Sequence, residues 1–175
     1  RFGGDRVARL SPGYAMVWEN RMYSTPSAAE KLDAVIHGAR AIMDHTDFTS
    51  AARDIFDKCC EMTGAVSGYV ALLTPDGYEN EVVFLEAGGM PCSVDPSLPM
   101  PIRGLRETCY ESSQAVYDND FMHSEWVGFM PAGHVALSNV MFAPLNIDGS
   151  TVGIMGLANK PVPFTDADAE IATVF

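Results

Sequence analysis

The stretch "SNVMFAPLNIDGSTVGIMGLANKPVPFTDADAEI", residues 138–171, decides the fold. Two apolar runs, 138–147 and 150–159, flank Asp148-Gly149, a dipeptide suited to a two-residue hairpin because both positions tolerate positive φ. Their nearly unbroken apolarity predicts strands at the centre of a sheet rather than at an edge. Thr165 and Asp168 stand at capping-box spacing, so a helix begins near Thr165, with Ala167, Ile171 and Val174 giving it a buried face.

Working outward, "SGYVALLT" and "NEVVFLEA" surround Pro75-Asp76-Gly77 and form a second hairpin. Before it, Phe48, Ala52, Ile55, Phe56 and Cys59 fall on one face of a helix running from about 48 to 62, with Gly64 as its stop. Ser27 and Glu30 offer an earlier capping box. Leu32, Ile36, Ala39 and Met43 follow it at 4-3-4 spacing, a short seam that serves equally for a second copy of the chain or for the chain's own domain. Residues 1–26, with Gly3, Gly4, Pro12, Gly13 and Pro26, hold no periodicity and read as a connector. Residues 88–101 carry Pro91, Pro96, Pro99 and Pro101 and read as an irregular crossing. A short helix near 104–112, a brief strand in "AVYDND", and a short helix with a loop in "FMHSEWVGFMPAGH" complete the order. Strands grouped in hairpins predict an antiparallel sheet and an α+β architecture, and they exclude a βαβ nucleotide-binding layout.

The 175 residues are 47% apolar, which suits one domain with a real core plus a helical extension. Lys and Arg total 11 against 23 Asp and Glu, a net charge of -12, which disfavours nucleic acid and anionic lipid as partners. No apolar run approaches the roughly 20 residues needed to span a bilayer. Without a signal peptide, and with Cys59, Cys60, Cys92 and Cys109 scattered, a cytoplasmic location and free thiols are expected. The chain opens on Arg1 and closes at Phe175 in a helix just begun, so a piece of a larger protein is expected.

"FTSAARDIFDKCCEMTGAVSGYVALL", "AVYDND" and the stretch quoted first, in that order, resemble a GAF domain of bacterial and archaeal sensor histidine kinases. The resemblance covers residues 46–175. Residues 27–45 are similar to the signalling helix that often leads into such domains. It implies a GAF-like central antiparallel sheet of about six strands with helices on both faces, a homodimer through terminal helices, and a downstream kinase or other effector in the same chain. Asn159, Lys160, Phe164 and Asp168 match the Asn-Lys-Phe-Asp-Glu signature of cyclic-nucleotide-binding GAF domains, but Ala169 stands where the Glu belongs. Glu170 comes one position late, about 100° further around a helix. A structural reading therefore competes: Lys160 pairs with Asp168, Asn159 bonds freed backbone and Phe164 anchors the corner.

The family's ligand lies between one sheet face and the irregular crossing. Residues 90–139 supply Cys92, Cys109, Tyr110, Phe121, Met122, His123, Trp126, Phe129, Met130, His134 and Asn139 there, soft and aromatic groups suited to a flat apolar ligand. Haem is one such group, with His134 or His123 on the iron and Cys92 or Cys109 as a second or covalent anchor. Arg103 and Arg106 are candidates to meet an anionic substituent. Trp126, Phe129 and Met130 read equally as core, and Asn119 as a helix cap. No phosphate loop, nucleophile elbow or helical histidine pair appears, so the residues themselves are not expected to catalyse a reaction. The expected function is a sensory domain binding a small ligand; the alternatives are a ligand-free dimerisation and relay module, a cyclic-nucleotide site, and a thiol redox sensor or enzyme using Cys92 and Cys109.

Overall fold

A computed structural model describes residues 25–95 and 97–175; the connector expected over residues 1–26 thus lies, but for its last two residues, outside the described residues. Within the described residues five strands form one sheet: β1 (Ser67–Leu73), β2 (Asn80–Glu86), β3 (Val116–Asp118), β4 (Val140–Ile147) and β5 (Ser150–Ala158). Their spatial order is β2-β1-β5-β4-β3, with every neighbouring pair antiparallel. The quoted hairpin supplies β4 and β5, and β5 is the central strand. Asp148 and Gly149 both hold positive φ, 49° and 79°, the conformation a tight hairpin requires. Pro144 sits in β4 without breaking a ladder, because β3 pairs with Val140, Met141 and Phe142 alone and leaves that edge open further along.

Among the described residues four helices flank the sheet: α1 (Ala28–Asp44), α2 (Phe48–Thr63), α3 (Leu105–Ser112) and α4 (Asp166–Val174). Both expected capping boxes form, Ser27 with Glu30 and Thr165 with Asp168. Gly64 ends α2 in the left-handed conformation at φ 83°.

The strands divide their side chains between two layers. Val70, Met141, Ala143, Met155 and Leu157 pack with Phe56 and Cys59 of α2, Phe164, and Ala172 of α4. Phe56 and Phe164 are almost wholly buried, each stabilising the layer by about 1.5–3 kcal/mol through apolar transfer. On the other face Val140 and Ala158 pack with Phe121, Leu105, Trp126, Val127, Met130 and Phe142. That layer comprises α3 and two 3-10 turns, Phe121–His123 and Glu125–Phe129.

α1 lies against α2 and α4 through Ala34, Gly38 and Ala41, small residues that allow close approach. Lys31 pairs with Glu170 of α4, and Lys58 of α2 reaches Asp33 at 3.3 Å. His37 and His45 approach the two oxygens of Asp54 at 3.3 and 3.5 Å. The seam noted in the sequence points away from the domain: Leu32, Ile36, Ala39 and Met43 are exposed, and Val35 and Ile42 widen the same face. No helix among the described residues is long and apolar enough to cross a membrane.

Candidate functional site

The signature residues build a corner rather than a cavity wall. Asn159 turns the chain out of β5 with φ 57°, a left-handed value that Asn tolerates. Its Oδ1 accepts from the Ser138 N–H at 2.9 Å, and its Nδ2 donates to Ala136 O at 3.1 Å. Lys160 Nζ donates to Asp168 Oδ2 at 2.5 Å in a pair whose side chains are 7% and 11% exposed. The same Oδ2 accepts from Thr165 N and Thr165 Oγ1 at 2.8 and 2.9 Å, so the ion pair and the α4 cap share one oxygen. Phe164 joins the α2 layer beneath them.

Two further asparagines clamp this exit. Asn139 donates from Nδ2 to Lys160 O and Val162 O at 2.9 and 3.2 Å and accepts from Lys160 N at 2.9 Å. The sequence reading made Asn139 a ligand contact. The structure corrects that, since its amide is buried and fully used on backbone. Asn119, expected as a helix cap, instead brackets Phe164, donating to its carbonyl at 2.9 Å and accepting from its N–H at 2.7 Å.

The opposite sheet face carries a second polar group of residues, under α3. Tyr69 of β1 and Phe142 of β4 both pair with Gly156 of β5, and their rings lie 6.3 Å apart across it. The gap at Gly156 admits the Tyr69 ring, whose Cε1 would stand 2.7 Å from any Cβ there. The Tyr69 hydroxyl is buried and its O–H finds no acceptor. Burial pushes its acidity down, raising the phenol above its usual range, while the Arg106 guanidinium, through its charge and by donating toward the phenol oxygen, pulls the other way. Asn80, at the start of β2, accepts from the Tyr110 hydroxyl at 2.7 Å, yet its buried Nδ2 donates to nothing. Tyr110 is likewise raised, chiefly by burial. Arg106 is half-buried and has no carboxylate partner among the described residues. Buried polar groups are ordinarily satisfied, so two donors without acceptors beside a cation that has no carboxylate partner among the described residues are unusual.

The remaining expected residues disperse. Cys109 is fully buried in α3, donates to Phe142 O at 3.5 Å, and has its thiol pushed up to about 12 by burial. It is a protonated core thiol and does not fit as a haem anchor. Cys92 is exposed on the crossing, so the thiol redox alternative finds its two cysteines in opposite environments. Ser93 N donates to Gly133 O at 3.1 Å, which sets the Cys92 and His134 segments side by side. His134 Nδ1 is tied to Val135 O at 2.8 Å, leaving Nε2 for any iron. His123 is exposed and held by Asp120 at 2.6 Å, which raises its pKa. Phe121, Trp126 and Met130 pack with Val140 and Ala158, while Phe129 lies beneath Arg103, whose guanidinium is 4.8 Å from the ring centre. No cluster of three or more metal-ligating side chains occurs among the described residues.

Sequence reasoning missed Tyr69 and Asn80. Tyr69 sits inside an apolar strand run and Asn80 opens one between two glutamates, so the available signal was a lone tyrosine and a lone asparagine at positions facing α3.

Comparison with known proteins places this arrangement. The GAF domain family profile matches residues 45–175. No curated protein matches the chain. Among solved structures, the GAF domain of an Acinetobacter phosphoenolpyruvate-protein phosphotransferase is 15% identical with a TM-score of 0.66, over 85% of this chain and 88% of that one. The free methionine-R-sulfoxide reductase of Neisseria meningitidis is 16% identical with a TM-score of 0.62, over 87% and 91%. The chromophore-binding domain of a bacteriophytochrome from R. palustris is 15% identical with a TM-score of 0.56, over 85% and 60%. At such identities the likeness is one of fold, and with the profile match it shows that the chain belongs to the GAF domain family, whose members typically serve as sensory or regulatory domains of signalling proteins.

Proposed function

We propose that this domain is the sensory input of a signal-transduction protein, most simply a histidine kinase, and that it binds a small molecule between the sheet and α3. The observation that carries the reading is the pair of buried, unpartnered donors, Tyr69 Oη and Asn80 Nδ2, on the face opposite α1 and α4. A core built for stability alone would satisfy or omit them. β5 lies between the two layers, so a change under α3 meets the same strand whose exit leads to α4. A ligand that favours one arrangement of α3 would shift the population of the terminal helices.

The test is a thermal-shift screen of the purified chain against small metabolites of varied charge, followed by hydrogen exchange. A ligand of this site raises the melting temperature and slows exchange in α3, with a change in α1 or α4. Failure of every compound to do so removes the sensory reading and leaves the ligand-free relay module, which the exposed apolar face of α1 favours. Haemin belongs in the same screen, because His134 keeps Nε2 free. A Soret band lost in His134→Ala would establish the haem reading, and no haemin uptake would end it.

A further inference from the structure

The chemistry of the orphaned groups narrows the ligand, on the footing of the sensory reading above. Each is a donor: a phenolic O–H on Tyr69, an amide N–H on Asn80 whose oxygen is already occupied by Tyr110, and a guanidinium on Arg106 with no carboxylate beside it among the described residues. A site offering donors and one positive charge, in a chain of net charge -12, selects an anion of low charge. A phosphate dianion calls for more cationic partners than one arginine. A carboxylate matches the flat guanidinium fork and keeps lone pairs for two neutral donors.

The walls are apolar. Ala71 and Ile154 pair across β1 and β5 on the Tyr69 face, and both are fully buried. We infer that this site binds a small carboxylic acid: Arg106 and the donors of Tyr69 and Asn80 take the carboxylate, and a short apolar remainder lies against Ala71 and Ile154.

Entry requires α3 to move, since the donors are shut from solvent as they stand. Two side-chain hydrogen bonds hold α3 on the sheet, Cys109 to Phe142 O and Tyr110 to Asn80 Oδ1. The unliganded arrangement leaves donors unsatisfied, and the carboxylate satisfies them, which gives it a different affinity for the two positions of α3.

Isothermal titration of the full chain with propionate, pyruvate and succinate, and with propionamide as the neutral isostere, tests the inference. At least one acid is expected to bind, with the amide at least tenfold weaker, and Arg106→Gln is expected to weaken that acid at least tenfold while retaining the native circular dichroism. Tyr69→Phe gives an independent reading: it is expected to melt at or above the parent temperature without ligand, because an unpaired donor is removed, yet to bind the acid several-fold more weakly. An acid that binds Arg106→Gln and Tyr69→Phe as well as the parent overturns the site. Phosphate binding in preference to every acid overturns the ligand class, as does a neutral or cationic compound that protects α3 independently of Arg106, although the latter leaves the sensory reading standing. Absence of binding or α3 protection by compounds of any charge removes both.

Discussion

Lys160 Nζ and Asp168 Oδ2 meet at 2.5 Å in the buried corner where β5 hands the chain to α4. The carboxylate oxygen also receives the Thr165 N–H and hydroxyl, so one atom closes both a salt bridge and a helix cap. The pair stands with Phe164 in the α2 layer, on the sheet face away from Tyr69 and Arg106. Its role is to fix the direction of α4.

Removing either charge strands the other in a buried setting. Lys160→Met and Asp168→Asn are each expected to cost about 3–5 kcal/mol in urea unfolding. The double variant should cost less than the sum of the two, since the shared interaction is counted once. Additive costs would show that the two groups act separately.

Asn139 and Asn119 hold backbone that no strand or helix can pair. Asn139→Ala leaves the Lys160 N–H and carbonyl without their partners, and Asn119→Ala does the same at Phe164. Each is expected to destabilise by about 1–3 kcal/mol. Hydrogen exchange should rise first in α4, and an unchanged α4 would refute the clamp.

Gly156 is fixed by space. A Cβ there would stand 2.7 Å from Tyr69 Cε1 and 3.1 Å from Cδ1, ring atoms already confined by Phe142. Gly156→Ala is expected to destabilise by about 1–3 kcal/mol through overpacking. It should also disturb tyrosine fluorescence, and a variant as stable as the parent would place the ring elsewhere.

The exposed apolar face of α1 predicts self-association, for which Leu32 at 59% and Ile42 at 67% exposure are the clearest probes. In sedimentation equilibrium the chain is expected to be a dimer, and Leu32→Glu with Ile42→Glu a monomer that melts within a few degrees of the parent fold at equal concentration. A parent chain that is monomeric at tens of micromolar would count against the dimer.

The thiols should separate by environment. Cys92 is exposed and is expected to react quickly with a disulfide reagent at pH 8, whereas Cys59 and Cys109 wait for unfolding. Burial raises Cys60 and Cys109 to about 12, so in the native state they stay protonated well above the pH at which unfolded cysteines ionise. The unfolded chain therefore loses protons first, and stability is expected to decline as pH rises from about 9 toward 12. A denaturation midpoint that holds constant over that range would contradict the burial of both thiols.

Local chemistry alone determined much of this protein. Asp148-Gly149 could form only a narrow set of turns, Thr165 and Asp168 could cap only a helix starting at that point, and the apolar runs beside them had to be central. Those are short-range constraints, so the α+β architecture and the Lys160–Asp168 tie were legible from spacing. The functional face was not. Asn139, Cys109 and Trp126 carry side chains that suit a ligand or a core equally well, and only the packing shows that Asn139 spends its amide on the 160–162 backbone and that Cys109 is sealed in α3. Tyr69, Asn80 and Arg106 lie on three separate elements. Strand register and the docking of α3 bring them together, and their significance is a missing hydrogen bond, a property of three-dimensional surroundings that no residue type carries by itself.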